Sequence, residues 1–413
     1  MTSHVPQCRF CHHPLRTTFV DLGMSPLCQT HITEEQLNHM EPFYPLHVYV
    51  CEKCFLVQLE EFVSPGEIFT EYAYFSSYST SWVEHARRYC EAMRERFSLG
   101  SDSRVVEIAS NDGYLLQHFV AAGIPSLGIE PAANVAEAAL RKGIPTLVKF
   151  FGKATASEVR AQHGPADLLL GNNVLAHVPD LNDFVAGLKI LLGPRGVITM
   201  EFPHLKCLMD ENQFDTIYHE HFSYFSFLAV ERVFAAHRLR IFDVDRLSTH
   251  GGSLRIYGRH EDDDSKPVGS RVDALRELEV AEGFNTLQKY ASFTEHVKET
   301  KREILEFLIT AKRAGKTIVG YGAPGKGNTL LNYCGIRSDF LDFTVDRNPY
   351  KQGKYTPGTR IPILHPDAIR DRRPDYVFIL PWNLKAEIVH TMAFVRDWGG
   401  QFVTPIPAIE VIP

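Results

Sequence analysis

The stretch RVVEIASNDGYLLQHFVAAGIPSLGIEP, residues 104–131, decides the fold. It starts with the apolar run VVEI, which is typical of a buried strand. The turn NDG and the helical segment YLLQHFVAAG follow, and SLGIE then has the pattern of a second strand. A strand, a helix and a strand in this order predict a βαβ unit, so we expect an α/β protein.

The same alternation continues along the chain. The segment AANVAEAALRKG has a helical pattern, and ADLLLGNNVLAHV and RGVITMEFP repeat the strand pattern. We therefore expect a central domain over residues 76–260, a turn-rich domain before it (1–75) and a second α/β domain after it (261–413). The acidic segment GRHEDDDSKPVG marks the second boundary, and apolar residues at helical spacing from Leu275 to Phe293 predict a long helix after it.

The loop after the first strand resembles the Glu-x-Gly-x-Gly-x-Gly loop of class I S-adenosylmethionine (SAM) methyltransferases. It reads EIASNDG, with Ala109 and Asn111 in place of the first two glycines. Small residues let the backbone approach a cofactor, and the following helix N-terminus offers free N–H groups. The resemblance implies SAM contacts at Glu107, Ala109, Ser110, Asn111 and Gly113.

Three later positions support the same cofactor. Glu130 ends the next strand, where a carboxylate can accept hydrogen bonds from both ribose hydroxyls. Asn172 closes a further strand, and LLGPRGVITMEFP resembles the segment that leads into the fifth strand of methyltransferases. Phe151 lies where an aromatic ring can face adenine, with ordinary core packing as the alternative. Together these features predict a SAM-binding domain.

Composition and charge restrict the class of protein. The chain has 413 residues, of which 44% are hydrophobic and 23% charged, and its formal net charge is −7. The absence of a Lys/Arg cluster argues against nucleic acid as the main partner. There is no apolar run as long as a membrane span, and the segment MTSHVPQCRFCHH lacks the layout of a signal peptide. We expect a cytoplasmic protein with no membrane partner.

Two C-x-x-C pairs lie in the first region, at Cys8 and Cys11 and at Cys51 and Cys54. In such turns both sulfurs can point at one ion about 2.3 Å away, so the four thiolates predict a tetrahedral Zn²⁺ site. The gap between the pairs is long for a zinc ribbon, and a hairpin over residues 12–50 would bridge it. A redox pair is the alternative, although the region lacks a thioredoxin-like setting. A closed four-thiolate site has no open position for substrate, so its expected role is structural.

A second nucleotide-type loop, GYGAPGKG at residues 320–327, lies in the third region. It has the G-x-G-x-x-G pattern after a strand, and Asp346 follows where a ribose-binding acid would stand. An NAD-linked oxidoreductase and a pure scaffold are two alternatives. Lys326 favours a third, the binding of the diphosphate of a nucleotide-activated substrate, since a lysine suits phosphate. The candidate substrate contacts here are Lys326, Asn328, Lys351 and Tyr355.

The segment TIYHEHFSYFS, residues 216–226, carries the candidate catalytic residues. His221 is the candidate base, because imidazole titrates near neutral pH. Tyr218 can donate to an oxygen that becomes negative, and Glu220 can orient an imidazole or bind an amino group. On a strand, His219 would share a face with His221. A metal site at these two histidines and a structural polar patch are therefore alternatives.

In this order the motifs resemble those of the C-methyltransferases that act on dTDP-4-keto-deoxysugars in antibiotic biosynthesis. The likeness covers the four cysteines, the SAM domain, YHEHFSY after its fifth strand, and GYGAPGKGNTLLN. It is closest to the C-3 methyltransferases of the tetronitrose (tetrocarcin-type) pathway. The resemblance implies a dTDP-linked 4-keto deoxysugar between the middle and C-terminal domains. It also implies that Tyr72 and Tyr74 donate to the sugar, and His177 follows the fourth strand on the cofactor side. A core position is the alternative for Tyr72.

The sequence thus predicts a small N-terminal zinc-binding lobe, a central class I SAM-methyltransferase Rossmann-like domain and a C-terminal Rossmann-like α/β domain. The predicted activity is SAM-dependent methylation of C-3 of a dTDP-3-amino-4-keto-2,3,6-trideoxyhexose through an enolate. The alternatives are an NAD-linked oxidoreductase that uses the C-terminal loop, and a zinc-containing binding protein with a vestigial SAM fold. We expect a monomer, because each lobe has a partner within the chain.

Overall fold

The computed structural model describes residues 5–68 and 75–413. Within these ranges the chain folds into two compact units. The first unit comprises the residues up to Arg16, Cys51–His204 and Phe222–Leu287, and the second comprises Thr17–Val50, Leu205–His221 and Gln288–Pro413. Each unit is assembled from segments that are separate in the sequence. The division into domains at 1–75, 76–260 and 261–413 stays a prediction.

The strands of the described residues are short, apart from four of eight residues or more. In chain order they are β1 (Thr17–Ser25), β2 (Tyr44–Val50), β3 (Val57–Leu59), β4 (Val105–Ile108), β5 (Ser126–Ile129), β6 (Thr146–Leu147), β7 (Ala166–Asn172), β8 (Leu192–Pro203), β9 (Ser223–Tyr224), β10 (Leu239–Leu247), β11 (Ser253–His260), β12 (Ile318–Tyr321), β13 (Thr344–Val345), β14 (Ile363–Leu364), β15 (Tyr376–Ile379), β16 (Gln401–Thr404) and β17 (Glu410–Ile412).

The α-helices alternate with these strands through much of the chain. They are α1 (Pro65–Ile68), α2 (Thr80–Phe97), α3 (Leu116–Ala121), α4 (Ala133–Arg141), α5 (Lys153–His163), α6 (Leu181–Leu191), α7 (Leu205–Asp210), α8 (Phe227–Ala236), α9 (Ser270–Ala281), α10 (Leu287–Ala291), α11 (Phe293–Arg313), α12 (Gly325–Cys334), α13 (Asp367–Arg372) and α14 (Lys385–Thr391). Short 3₁₀ helices lie at Glu34–Asn38, Ser76–Tyr78, Leu175–His177, Phe214–Thr216, Thr249–Gly251, Trp382–Leu384 and Ala393–Trp398.

The first unit is built on a sheet with the strand order β10-β11-β8-β7-β4-β5-β6. The strands from β4 to β8 pair in parallel, while β11 runs antiparallel to both β8 and β10. The chain enters at β4, runs outward through β5 and β6, and returns to β7 on the other side. The carboxyl ends of β4 and β7 therefore border the crevice in which open α/β sheets bind ligands.

Local sequence explains the central strand and its neighbouring helix. All four residues of β4 are buried, as expected for a parallel strand covered on both faces. Helix α2 begins after Ser79, whose hydroxyl accepts a hydrogen bond from the Trp82 amide at 3.3 Å, a normal N-terminal cap. Its buried face includes Tyr89 and Met93, which join Phe119 in the core of the unit.

The second unit contains a sheet with the order β14-β13-β12-β15-β16-β17. Its neighbours pair in parallel except β17, which is antiparallel to β16. The order reverses between β12 and β15, so the loop after β12 lies at a switch point like the loop after β4. Buried side chains of the central strands, among them Val319, Val345 and Val377, pack with Phe402 in its core. The α/β class predicted from the sequence is confirmed.

The hairpin expected over residues 12–50 is present in the second unit. Strands β1 and β2 pair antiparallel, from Thr17 opposite Val50 to Ser25 opposite Tyr44. Phe19 of β1 stacks on Phe293 with ring centroids 4.6 Å apart. The hairpin therefore packs on helix α11.

The prediction of one long helix from Leu275 to Phe293 is wrong. This segment forms α9, α10 and the start of α11. Gly283 takes a left-handed backbone conformation with φ of 85° just after α9, which ends that helix. Apolar spacing continued across this break, so the pattern alone did not reveal it.

None of the helices in the described part of the chain combines the length and the apolar character needed to cross a membrane.

Candidate active site and zinc centre

The loop after β4 keeps a glycine-type backbone without two of the expected glycines. The φ angles are 54° at Ala109, 50° at Asn111 and 75° at Gly113. Left-handed backbone is strained for alanine and tolerated by asparagine. At Gly113 a Cβ would also lie 2.3 Å from Ile144 Cδ1, so a side chain there would force Ile144 to shift. Alanine and asparagine thus replace two glycines here, but the loop keeps the left-handed backbone conformation that lets a cofactor come close to the main chain.

Carboxylates gather around this loop. Glu130 Oε2 accepts the Asn111 amide and its Oε1 accepts the Ala132 amide, both at 2.9 Å. Glu107 is 1% exposed, and its Oε2 has no hydrogen-bond partner among the described residues. Burial, then the charges of Glu130 and Asp112, raise the pKa of Glu107 well above its usual range. Such a site attracts a ligand that carries positive charge and hydroxyl groups.

Other polar groups near the carboxyl ends of β4 and β7 are buried and find no partner within residues 5–68 and 75–413. The Ser110 hydroxyl and both amide atoms of the Asn172 side chain have no hydrogen-bond partner among the residues that the structure describes. Buried polar groups are normally paired, so these atoms indicate a ligand. A SAM molecule, with its ammonium, sulfonium and ribose groups, fits this set of donors and acceptors.

The remaining predicted residues of this unit differ in their surroundings. Phe151 is half-buried and meets Phe184 edge-on, with ring centroids 5.3 Å apart. His177 ends a 3₁₀ helix, and the carbonyl of the preceding Ala176 accepts the Phe222 amide at 2.7 Å. The predicted residues Tyr72 and Tyr74 lie outside the described residues.

Sequence reasoning missed two serines at the SAM-type loop. The Ser76 amide donates to Asn111 Oδ1 at 2.9 Å, and the Ser77 hydroxyl donates to the Asp112 carboxylate. Lys142 also lies 3.2 Å from Asp112 Oδ2. The serines are 35 residues from their partners. The repeated serines of FSSYS are the only signal in the sequence, and it is weak.

The four predicted cysteines of the zinc site come together in the first unit. The ligand atoms of Cys8, Cys11, Cys51 and Cys54 all lie within 4.8 Å of one another. The Sγ atoms of Cys8 and Cys54 are 3.6 Å apart, and those of Cys11 and Cys51 are 3.5 Å apart. Zinc–sulfur bonds of about 2.3 Å in a tetrahedron put sulfurs about 3.8 Å apart, so the cluster fits Zn²⁺.

A glutamine that the sequence did not reveal supports this cluster. Gln58 is buried, and its Nε2 donates to Cys8 Sγ at 3.2 Å. Its Oε1 accepts the Arg9 amide at 2.8 Å. Hydrogen bonds to ligand atoms hold a metal site in shape, and Gln58 has that role here.

The YHEH segment is a turn and not a strand, so the strand geometry in which His219 and His221 would share one face is absent here. His219 Nε2 lies 3.2 Å from the Pro45 carbonyl, while His221 Nδ1 lies 3.0 Å from the Thr216 carbonyl. Strand β9 starts only at Ser223. The turn arises because the His221 amide donates to the Tyr218 carbonyl at 2.9 Å.

His221 is held in one tautomer by this turn. A carbonyl oxygen only accepts, so Nδ1 carries the proton and Nε2 keeps its lone pair. The Tyr218 ring lies against the imidazole, with centroids 4.1 Å apart. The arrangement suits a general base with a phenol beside it.

Glu220 lies in the same turn and is buried, like His219 and His221. Its Oε1 accepts a hydrogen bond from Cys28 Sγ at 3.5 Å. Burial raises the pKa of Glu220 to about 7, against the opposing effects of Cys28 and Lys351. Burial also lowers the pKa of His219. The carboxyl group of Glu220 can therefore change charge near neutral pH.

The loop after β12 is tied to its own chain. Asp346 accepts the amides of Ala323 and Asn348 at 2.8 and 2.9 Å, and Lys351 Nζ lies 3.5 Å from its carboxylate. Asn328 Nδ2 donates to the Cys28 carbonyl at 2.6 Å. The ribose-type acid of this loop is thus already hydrogen-bonded.

Lys326 and Tyr355, two predicted substrate contacts, lie in different surroundings. Lys326 Nζ is 2.9 Å from Asn383 Oδ1 and 4.4 Å from the centre of the Trp382 ring. The Trp382 indole donates to Asp215 Oδ2 at 2.7 Å. Burial lowers the pKa of Lys326 and raises that of Asp215 to about 6. Tyr355 exchanges backbone hydrogen bonds with Ile32 at 2.8 and 3.0 Å.

Comparisons with known proteins match the chain in three segments. A family model described as a putative zinc binding domain matches residues 8–69, one described as a methyltransferase domain matches 82–242, and one described as a C-methyltransferase C-terminal domain matches 248–407. The chain is 35% identical over 408 residues to the C-methyltransferase NovU of Streptomyces niveus, covering 99% of this chain and 97% of NovU.

Solved structures of lower similarity were also found. A SAM-dependent methyltransferase from Anabaena variabilis is 15% identical, with 42% of this chain and 85% of that chain covered and a TM-score of 0.35. The magnesium protoporphyrin IX methyltransferase of Synechocystis with bound SAM is 13% identical, with 43% and 76% covered and a TM-score of 0.32.

Proposed function

The chain belongs to the SAM-dependent C-methyltransferases, and on that premise we propose that it methylates C-3 of a dTDP-3-amino-4-keto-2,3,6-trideoxyhexose. Its cofactors are SAM and zinc, the latter held by the four cysteines of the first unit. The NAD-linked oxidoreductase considered for the C-terminal loop is not favoured, because the family model over residues 248–407 is that of a C-methyltransferase.

Methylation at carbon requires a nucleophile that the substrate does not have at rest. A ketone makes the neighbouring C–H acidic, so a base can remove the proton and leave an enolate. SAM held by the loop after β4 would supply an electrophilic methyl group, and its sulfur–methyl bond would break as the new carbon–carbon bond forms. The protein's task is therefore to hold the sugar, remove the C-3 proton and stabilise the enolate oxygen.

His221 is the proposed base, and its hydrogen bond to the Thr216 carbonyl carries the proposal. This contact, at 3.0 Å, leaves the Nε2 lone pair as the proton acceptor. The C-3 proton moves to Nε2, and the imidazolium that forms is stabilised by the same carbonyl. Tyr218, whose ring lies 4.1 Å from that of His221, is the proposed donor to the enolate oxygen.

The other assigned residues have supporting roles. Ionised Glu220 is proposed to hold the imidazolium or the amino group of the sugar. His177 and Tyr72 are proposed contacts at the reacting centre, and Tyr74 is proposed to contact the sugar. Glu107, Ala109, Ser110, Asn111, Gly113, Glu130, Phe151 and Asn172 are the proposed SAM contacts. Lys326, Asn328, Lys351 and Tyr355 are the proposed contacts of the nucleotide part.

An exchange experiment in deuterated water tests the base. The protein is incubated without SAM with dTDP-3-amino-4-keto-2,3,6-trideoxyhexose, and deuterium at C-3 is followed by NMR. We expect exchange in the wild type and a loss of about 100-fold or more in His221→Asn, since general bases contribute this much. Asparagine keeps a donor for Thr216 but provides no base.

His390→Asn is the matched control, because His390 is exposed on α14. It should exchange at the wild-type rate. Methyl transfer with SAM is measured on the same sugar and its C-3-deuterated form. Wild-type exchange that survives in His221→Asn would exclude His221 as the base. Absence of both exchange and methyl transfer across several dTDP-4-keto sugars would exclude the substrate class.

A further inference from the structure

Cys28 lies in the loop after β1 and is 3% exposed. Its Sγ is 3.5 Å from Glu220 Oε1, although the two residues are 192 positions apart in sequence. Burial, and next the Glu220 carboxylate, raise the pKa of Cys28 well above its usual range, so the thiol stays protonated. The thiol is therefore the donor and the carboxylate the acceptor.

The thiol is held in place by the helix that follows the GYGAPGKG loop. Asn328 Nδ2 donates to the Cys28 carbonyl at 2.6 Å. A Cβ at Gly325 would lie 2.9 Å from Cys28 Sγ, so the glycine leaves the space that the sulfur fills. Helix α12 thus anchors the backbone of Cys28 and leaves room for its sulfur.

We propose that Cys28 is a positioning residue, whose thiol holds the Glu220 carboxylate in one orientation for the methylation reaction. This inference rests on the proposed function, in which ionised Glu220 takes part. A buried carboxylate with few donors can rotate or take up a proton, and a single well-placed donor opposes both. Because Asn328 anchors the Cys28 backbone, the Cys28 thiol stays in place if the Glu220 carboxylate rotates.

Several titratable groups surround Glu220. Cys28 faces it from the loop after β1, and Lys351 acts on it from the loop after β13. Lys351 lies 3.5 Å from the Asp346 carboxylate and lowers the pKa of His31, after the larger effect of burial. His219 and His221 flank Glu220 on its own turn.

Two substitutions with opposite chemistry separate a positioning role from a packing role. Cys28→Ala removes the donor, and Cys28→Ser keeps one. The Glu220 carboxyl is titrated by infrared difference spectroscopy in the full chain, with Glu220→Gln to identify its band. We expect Cys28→Ala to raise the midpoint by about one pH unit. Cys28→Ser should return it to within about half a unit of the wild type, or below it.

The pH profile of kcat/KM for methyl transfer is the second readout, because its acidic limb reports groups of the free enzyme. The limb should move to higher pH in Cys28→Ala and back in Cys28→Ser. Cys334→Ala is the matched control, since Cys334 is also buried in the second unit and makes no hydrogen bond to a carboxylate among the described residues. It should leave both midpoints unchanged.

The outcomes separate this inference from the proposed function. An unmoved Glu220 titration in Cys28→Ala, or equal shifts in the alanine and serine variants, would overturn the role of Cys28. If the Glu220 titration shifts but the pH profile of kcat/KM does not, Cys28 positions Glu220 without any effect on the reaction, and its proposed role in methylation is overturned. The infrared titration needs no substrate. If the Cys28 variants show the predicted shifts while the wild type transfers no methyl group, the proposed function is overturned but the Cys28–Glu220 contact is retained.

Discussion

The two units contain two loops of the same type, and their hydrogen bonds differ. Both follow the first strand of a doubly wound sheet, and in both an acid at the end of the next strand accepts loop amides: Glu130 in the first unit and Asp346 in the second. The first loop lacks two of its glycines, yet Glu107, Ser110 and Asn172 keep buried atoms without partners among the described residues.

The second loop has every glycine of G-x-G-x-x-G, but its polar side chains contact their own chain. Lys326 bonds Asn383, Lys351 donates to the Ala323 carbonyl at 2.8 Å, and Asn328 donates to Cys28. Among these three side chains, only Asn328 has a buried atom, Oδ1, without a hydrogen-bond partner in the described residues. The comparison teaches that polar groups left without partners indicate a ligand better than the number of glycines does.

The strongest test of this comparison is Gly113→Val. The substitution places a branched side chain at φ of 75° and against Ile144. We expect SAM affinity, measured by calorimetry, to fall about 100-fold or more, with about 3 kcal/mol less stability in urea unfolding. Gly335→Ala is the control, because Gly335 is also left-handed but a Cβ there meets nothing within 4 Å. A bound SAM of normal affinity in Gly113→Val would contradict the assigned site.

Glu107→Gln tests the carboxylates of the first loop. We expect SAM affinity to fall about 10-fold, because the variant lacks a carboxyl group whose ionised form the positive charge of SAM favours. Burial raises the pKa of Glu107, so in the protein without SAM this group contributes stability below its unfolded pKa and loses it as pH rises through the folded pKa. The variant should therefore unfold at a higher temperature than the wild type near pH 8, and the gain should vanish near pH 4.

Asp346→Asn is the control from the second loop, because it neutralises the acid that accepts a loop amide there. It should leave SAM affinity unchanged. A loss of SAM affinity in Asp346→Asn equal to that in Glu107→Gln would remove the distinction between the loops.

Gly325→Ala tests whether the second loop contacts its own chain. The added Cβ would meet Cys28 Sγ at 2.9 Å, so we expect about 1–2 kcal/mol less stability by urea unfolding. SAM affinity should stay at the wild-type value. If Cys28→Gly in the same chain does not restore part of the lost stability, the contact is not the cause.

Ala109→Gly has the smallest expected effect. Alanine at φ of 54° is strained, and glycine relieves the strain while it increases the freedom of the unfolded chain. We expect a net gain of about 0.5–1 kcal/mol in unfolding free energy and unchanged SAM affinity. Destabilisation would show that the methyl group contributes packing that outweighs the backbone strain.

Patterns in nearby residues predicted a large part of this molecule. The apolar run of β4, the small-residue loop and the following helix lie within one stretch of 28 residues, and the α/β class follows from them. The four cysteines predicted their own cluster, because only a few side chains bind zinc at C-x-x-C spacing. The long helix after Leu275 was wrong, since apolar spacing continued across the break at Gly283.

The sequence by itself therefore determined the fold class, the SAM-type loop and the zinc ligands, because each depends on backbone preferences and chemistry that act over a few residues or on a distinctive residue type. The tertiary structure alone decided that YHEH is a turn, that Gln58 contacts Cys8 and that Glu220 meets Cys28. Cys28 and Glu220 are 192 residues apart, and Asp215 and Trp382 are 167 apart. Such contacts depend on how the whole chain returns on itself, and local propensity does not specify that path.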